Sequence, residues 1–437
     1  MSVFTKAGAG IAILAASALV LSGCAAAEEA APETTDAATE VVEEPTAVVC
    51  EEDATKAVDG AYTLKIGTAL PLTGTLAFLG PPEEAGVALA IKEINEAGAD
   101  ITIEAVFGDS GDLDNKAYET EVPRVLSEGV AAILGAASSG VSLQFIDQVV
   151  GSCVIQFSPA NTSPAFTTYE DQGLFWRTAP SDLLQGDVLG NLLAEDGHQT
   201  LGMLVLNDAY GTGLAAATKA AFETAGGSVV AEPTFNSADT NFTSQIGTLL
   251  AAAPDAIVVI AFDETKTIVP ELVSQFPAEN IYFVDGNLAN YSEDFPAGTL
   301  TGVKGTLPGL DIATIADFTE RMNANWVAEG NEDLADVFAY GPESYDAVVL
   351  IALASLAAKS TDSVAIAGKL QEVSGGSGDG TKCFSFAECA EIIAGGGVAD
   401  YDGVSGPITF DAAGDPTEAE IGIYIYGDGN TYTPYRG

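Results

Sequence analysis

Two stretches of small hydroxylated residues, "GAASSGVS" (135–142) and "SPANTSPAF" (158–166), each follow a short apolar run, Val130–Leu134 and Cys153–Phe157. Apolar runs of that length, bounded by Gly and Pro, read as buried strands. In an open parallel sheet a ligand collects beyond the carboxyl ends of the strands, where loops lead into helix N-termini. Backbone N–H groups at the start of a helix over "LQFIDQVV", with the hydroxyls of Ser138 and Ser139, would form a cradle for an anion such as a carboxylate. A lone Ser or Thr at such a place is ordinarily a helix cap. Two adjacent strand ends that bring the same chemistry to one place favour a ligand site.

Catalysis has little to work with. The one His, His198 in the polar stretch "EDGHQT", reads as an exposed loop residue and leaves no second His for a base or a metal set. No G-x-S-x-G elbow occurs, and "GTGLAA" (211–216) imitates a dinucleotide fingerprint without its final Gly. Paired carboxylates such as Glu83-Glu84 and Glu119-Glu121 read as solvated faces in so acidic a chain. No catalytic residue, metal or cofactor is expected.

The 437 residues are 47% hydrophobic and 18% charged, enough for a large core and better suited to two lobes than one. Fifteen Lys and Arg against 63 Asp and Glu give a net charge of -48, which would repel a polyanion, so nucleic acid is excluded as a partner. Lys6, an apolar stretch from Ile11 to Val20 and "LSGC" ending at Cys24 form a targeting segment too short to span a membrane as a structural helix. It resembles a bacterial lipobox, which implies a signal peptide over 1–23, lipid attachment at Cys24 and a protein anchored to the outer face of a membrane. Residues 24–61, rich in Ala, Glu, Thr and Pro, cannot bury enough apolar surface to offset their ordering entropy and read as an acidic flexible tether. Four further cysteines in an exported chain allow three pairings. The short loop "FSFAE" favours Cys383 with Cys389; Cys50 and Cys153 are then left for each other, unless Cys50 stays free in the tether.

Beyond Tyr62 short apolar strands alternate with longer amphipathic stretches, from "YTLKIGTALPL" and "PPEEAGVALAIKEINEAG" to "DAIVVIAF", "TKTIVPELVSQF" and "NIYFVDG". Repeated units of this kind imply an α/β fold of parallel sheets covered by helices on both faces, here in two lobes. The longest later apolar run, "YDAVVLIALASLAA" (345–358), is short of a membrane span and reads as a buried helix.

"IGTALPLTGTLAFLG", "GAASSG", "QFSPANTSPAF", "FWRTAPSDLLQG", "LNDAYGTGL" and "GPITFDAAGD" occur in order and at the spacing of the periplasmic leucine/isoleucine/valine-binding proteins, which the chain resembles from about Leu64 to its end. That resemblance implies the two-lobed type I periplasmic-binding-protein fold with a ligand cleft between the lobes. The chain would cross between lobes near "RTAPSD", around Gly305 to Pro308 and in the C-terminal "IGIYIYGDG", giving lobe 1 as 62–180 with 308–420 and lobe 2 as 181–307 with 421–437. Carried onto matching positions, it assigns the ligand carboxylate to Ser139 and Thr162 with Ser138 and the backbone around Ala160. Cleft closure falls to Tyr210 and Phe262, and the ammonium to Asp285. Two departures stand out: Asp285 is shorter than the Glu of leucine-binding relatives, with Asp263 an added acid nearby, and Leu79 replaces an aromatic ring. The implied function is capture of an amino acid by hinge closure and delivery to an ABC permease, by a protein acting as a monomer. The alternatives are a urea-like or short-amide solute, and a ligand-sensing receptor component.

Overall fold

The structure, a computed structural model, describes residues 48–435 apart from 238 and 336. The signal segment and Cys24 lie outside the described residues.

Five parallel strands, β1 (Tyr62–Ala69), β2 (Ile101–Val106), β3 (Ala132–Gly135), β4 (Ile155–Ser158) and β5 (Phe175–Arg177), form one sheet in the order β2-β1-β3-β4-β5. Helices α1 (Gly80–Glu96), α2 (Tyr118–Ser127) and α3 (Ser139–Gly151) connect them. Strands buried from both sides by crossover helices need no polar face, so β3 and β4 are buried along their whole length. Two prolines, Pro81 and Pro82, stand in the first turn of α1, where no N–H is needed.

The chain passes through residues 178–181 into α4 (Asp182–Glu195) and a second sheet. This comprises β6 (Thr200–Leu206), β7 (Ser228–Ala231), β8 (Thr234–Phe235), β9 (Ala256–Ile260), β10 (Ile281–Phe283) and β11 (Lys304–Pro308). Helices α5 (Ala209–Thr224), α6 (Thr243–Ala252) and α7 (Thr265–Val273) cover it. After β11 the chain returns to the first sheet, where α8 (Ala316–Ala328), α9 (Gly341–Ala358), α10 (Ser363–Val373) and α11 (Phe386–Ala394) pack. A small sheet of β12 (Thr381–Cys383), β13 (Ala399–Gly403) and β14 (Gly406–Pro407) joins them. A third crossing leads to β15 (Ile421–Tyr426) and β16 (Tyr432–Pro434) at the edge of the second sheet.

That edge departs from the wholly parallel sheet expected. β15 runs antiparallel to β11, with Pro308 opposite Ile421, because the chain leaves β11 and comes back at the same end of the sheet. A tight turn then makes β16 antiparallel to β15. Each sheet has its own core: α9, buried on every side from Gly341 to Ser355, lies against the first, whereas Leu204, Val258 and Phe283 belong to the second. Among the described residues no helix is long and apolar enough to cross a membrane.

Two further expectations are corrected. The tether does not run free to residue 61. Val48 O accepts from Gln172 Nε2 at 3.0 Å, Cys50 is bonded to Cys153, Val58 N donates to Lys359 O at 2.9 Å, and Ala57 bridges Ser360. These links tie the segment from Val48 onward across the first lobe. Glu83 is not on a solvated face: it is fully buried at the start of α1, neither carboxylate oxygen has a hydrogen-bond partner, and burial pushes its carboxyl well above the usual range. Its neighbour Glu84 is partly buried, and burial likewise lifts it to about 7.

Cys383 is bonded to Cys389 six residues away, whereas the Cys50–Cys153 bond closes a span of 103 residues. Closing the longer loop removes more entropy from the unfolded chain, so replacing both Cys50 and Cys153 with Ser should cost about 4–5 kcal/mol, more than the Cys383/Cys389 double change. Urea unfolding of the two double variants checks the order.

Candidate functional site

Polar caps start the helices that surround the gap between the sheets. Ser138 caps α3 by accepting from Val141 N at 3.4 Å, Ser181 caps α4, and Asp208 caps α5 by accepting from Gly211 N at 2.7 Å. With Val141 served by Ser138, the N–H groups of Ser139 and Gly140 remain at the positive end of α3. Ser139 Oγ accepts from Thr162 N at 3.3 Å and Ser163 N at 3.2 Å, which locks the two hydroxylated turns together and leaves its own proton without an acceptor among the described residues.

The second turn is held from behind. Asn161 Nδ2 donates to Ala137 O at 2.8 Å, and Ser158 Oγ accepts from Ala160 N and Asn161 N. Arg177, fully buried, donates to Ser163 O at 2.8 Å and pairs with Asp415 through Nε at 2.6 Å. Asp182 N donates to Thr162 O at 2.7 Å, so the first residue of α4 is fastened to this turn as well. Burial, reinforced by the charge of Asp285, pushes the Asp182 carboxyl well above the usual range.

Across the gap stands Asp285, in a turn just after β10 and 5% exposed. Its Oδ1 accepts from Tyr210 Oη at 2.6 Å and Gln185 Nε2 at 3.0 Å, and its Oδ2 from Tyr340 Oη at 2.7 Å. Burial raises its pKa and these donors lower it again; no Lys or Arg is among the groups that act on it. The Tyr210 ring stacks on Phe262, with centroids 5.4 Å apart.

One cavity is lined by Leu79, Ser138, Ser139, Ala160, Tyr210, Phe262 and Asp285, together with Leu76, Ala137, Gly286 and Tyr340. Thr162 is not in that lining: it is 1% exposed, its N–H goes to Ser139, and its hydroxyl acts on the buried Asp182 carboxyl behind the cavity. Asp263 is exposed and pairs with Lys266 at 2.7 Å; its neighbour Glu264 is the buried acid, and burial lifts it to about 7. His198 is half-buried rather than exposed, with Nε2 2.9 Å from Tyr282 Oη, and is not among the lining residues. Among the described residues no group of three or more His, Cys, Asp or Glu could hold a metal ion.

Tyr340, Gln185 and Arg177 are additions to the expected set. Tyr340 has φ 60, a left-handed turn just ahead of the Gly-Pro start of α9, and that break before a helix is the one local signal that marks it. Gly286 admits no side chain, since a Cβ there would lie 2.9 Å from both the Phe262 ring and Tyr210 Oη. Gly286→Ala should therefore displace both rings and weaken ligand binding roughly tenfold, the scale of about 1–3 kcal/mol that overpacking costs; titration calorimetry checks it.

The arrangement offers the two N–H groups of Ser139 and Gly140 at a helix start and a hydroxyl on one wall, and a carboxylate ringed by donors on the other. It suits a solute that is negative at one end and positive at the other. The chain is 31% identical over 195 residues, 44% of its length, to the leucine-, isoleucine-, valine-, threonine- and alanine-binding protein of Pseudomonas aeruginosa, and the match spans only 52% of that relative. It is 24% identical, over 80% of its length and 84% of the relative's, to the chemotactic signal transduction system substrate-binding protein BasB of Halobacterium salinarum. Two solved structures share the fold. The leucine-binding protein LivK of Thermotoga maritima has TM-score 0.69 at 21% identity, over 85% of this chain and 98% of that one. The isoleucine complex of LivJ from Streptococcus pneumoniae has TM-score 0.68 at 22% identity, over 86% and 100%. The sequence profile described as "Periplasmic binding protein" matches residues 63–415, and the chain belongs to that family.

Proposed function

We propose that this protein is an extracytoplasmic, lipid-anchored solute-binding component of an ABC importer that captures an α-amino acid by closing two lobes on it. The observation that carries the reading is Asp285, a carboxylate buried among three neutral donors and facing a helix start that lacks acceptors. The solute carboxylate meets Ser139 and the N-terminus of α3, with Ser138 and the Ala160 backbone around it, while Thr162 supports Ser139 from behind the lining. The ammonium meets Asp285, and Tyr210 with Phe262 closes the cleft. Lobe 1 comprises 62–180 with 308–420, and lobe 2 comprises 181–307 with 421–437. The solute bridges both and favours the closed form, which docks on a membrane permease.

Relatives that bind leucine, isoleucine or valine support the amino-acid class. Leu76 and Leu79 in the lining support an apolar side chain. A thermal-shift panel of single amino acids, short amides and urea tests the reading, because a ligand that binds only the native state raises the melting temperature with its excess over Kd. Shifts with amino acids are the expected result; shifts with amides or urea alone would replace the solute class. Cys24→Ala should move the protein from the membrane to the soluble fraction. A second reading, a component that reports solute to a sensory system, draws on the similarity to the Halobacterium protein of that printed role.

A further inference from the structure

All three connections between the lobes line a second cavity of about 400 Å3. Thr178 and Pro180 come from the first connection, Gly309 and Leu310 from the second, and Glu418 and Glu420 from the third. That volume lies within the range of small-molecule sites. Glu343, in the first turn of α9, also lines it and is 4% exposed.

The chemistry of this cavity is one-sided. Every charged residue in its lining is a Glu. Among the described residues the Glu343 carboxylate takes a hydrogen bond only from its own N–H, while Thr178 Oγ1 donates to the Glu343 carbonyl instead, at 3.0 Å. Its Oε1 lies 2.8 Å from where a Cβ on Gly309 would sit, so the acid bears directly on the second connection. Behind it stands Glu83, both of whose oxygens lack a partner. The groups that act on Glu83 and Glu343 include Glu84 and Asp346 and no cation. Glu343 is the one nearly fully buried acid in the cavity wall, with Glu83 a second buried acid behind it, and once ionised it would lack a counter-ion that the chain does not supply. Leu310 and Ile408 give the walls an apolar part.

We propose that this hinge cavity is a second ligand site, for a small organic cation whose ammonium or guanidinium group meets the Glu343 carboxylate and whose apolar part lies against Leu310 and Ile408. The site is separate from the cleft and does not depend on which solute the cleft takes. Burial lifts Glu343 to about 8, with Asp346 adding to it and Glu83 facing it, so an ammonium must displace a proton to bind. Binding should therefore tighten as pH rises from 7 to 9.

The test is a calorimetric titration of the full chain with n-butylamine. A saturable Kd of about 1 mM is expected, on the scale open to so small a ligand. It should rise at least tenfold in Glu343→Gln and in Leu310→Trp, which fills the cavity and leaves the acid in place, with folding of both checked by their melting temperatures. It should persist in Asp285→Asn, which disables the cleft. Absence of saturable binding would overturn the proposal. So would binding lost in Asp285→Asn and kept in Leu310→Trp, because the amine would then occupy the cleft.

Discussion

Changing Asp285 to Asn should raise the Kd for an α-amino acid by about 100-fold or more, the scale of removing one partner of a buried, hydrogen-bonded charge pair. Asp285 is 5% exposed, and its oxygens are held by Tyr210, Gln185 and Tyr340, all neutral donors. These donors place the carboxylate without cancelling its charge, so in the empty cleft the charge is buried and awaits a cation. Asn has the same shape: its oxygen can still accept from Tyr210 and Gln185, and its NH2 can donate to Tyr340 Oη. The variant should fold, and the relief of burying a charge should leave its ligand-free melting temperature equal or higher. The two observables thus move apart: affinity collapses and stability does not. For a neutral amide the same change should cost less than about tenfold, since Asn still accepts an N–H. Calorimetric titration of Asp285→Asn with the solute found in the panel separates the cases, and an unchanged Kd for an amino acid would remove Asp285 from the ammonium site. Burial raises the pKa of Asp285, so amino-acid affinity should also decline as pH falls through that raised value, where the acid takes up a proton and loses its attraction.

The parts of this fold that sequence makes legible are those with a local physical signal. Apolar runs that stop at "GAASSGVS" and "SPANTSPAF" announce strand ends and helix starts, and the structure has β3 followed by α3 at the first and β4 at the second. What escapes is set by partners distant in the chain. Arg177 gains its role from Asp415, 238 positions away, and the antiparallel edge of the second sheet follows from where β11 and β15 meet the hinge. Cys50 sits in tether-like sequence and is claimed by Cys153 across 103 positions. Glu83 is a different failure. It precedes Val87, Ala90 and Ile94 by four, seven and eleven residues, on the buried stripe of α1, so helical period places it inside. Composition, which makes any Glu in an acidic chain look solvated, points the other way, and here geometry wins. Thr162 shows the limit of carrying a role across by position: it stands at the matching place, yet its side chain lies behind the lining.

The ligand-free protein should grow more stable as pH falls from 8 to 5. Its buried carboxyls are raised, chiefly by burial: Glu343 to about 8, Glu84 and Glu264 to about 7, Asp208 and Asp346 to about 6, with Glu83 and Asp182 also pushed up. In the unfolded chain the same groups titrate near 4. Between that value and each raised one the native state holds the extra proton, so stability falls as pH rises, by about 1.4 kcal/mol per pH unit for each proton involved. This contribution is whole below about 4 and is lost as pH climbs through the raised values. For one group raised to about 8, the change from pH 5 to 8 is about 4 kcal/mol. Self-repulsion among charges summing to -48 acts in the same direction. Asp53, Asp255 and Asp333 are lowered instead and titrate below this window; His198, lowered by burial, opposes the trend by at most one proton against the several raised acids. Melting temperatures at successive pH values in constant salt measure the slope, and Glu343→Gln should flatten it by about one proton. A profile level or rising from 5 to 8 would mean that these acids ionise in place without cost. An ammonium-bearing solute should reduce the slope, because it supplies Asp285 with the charge the fold itself withholds.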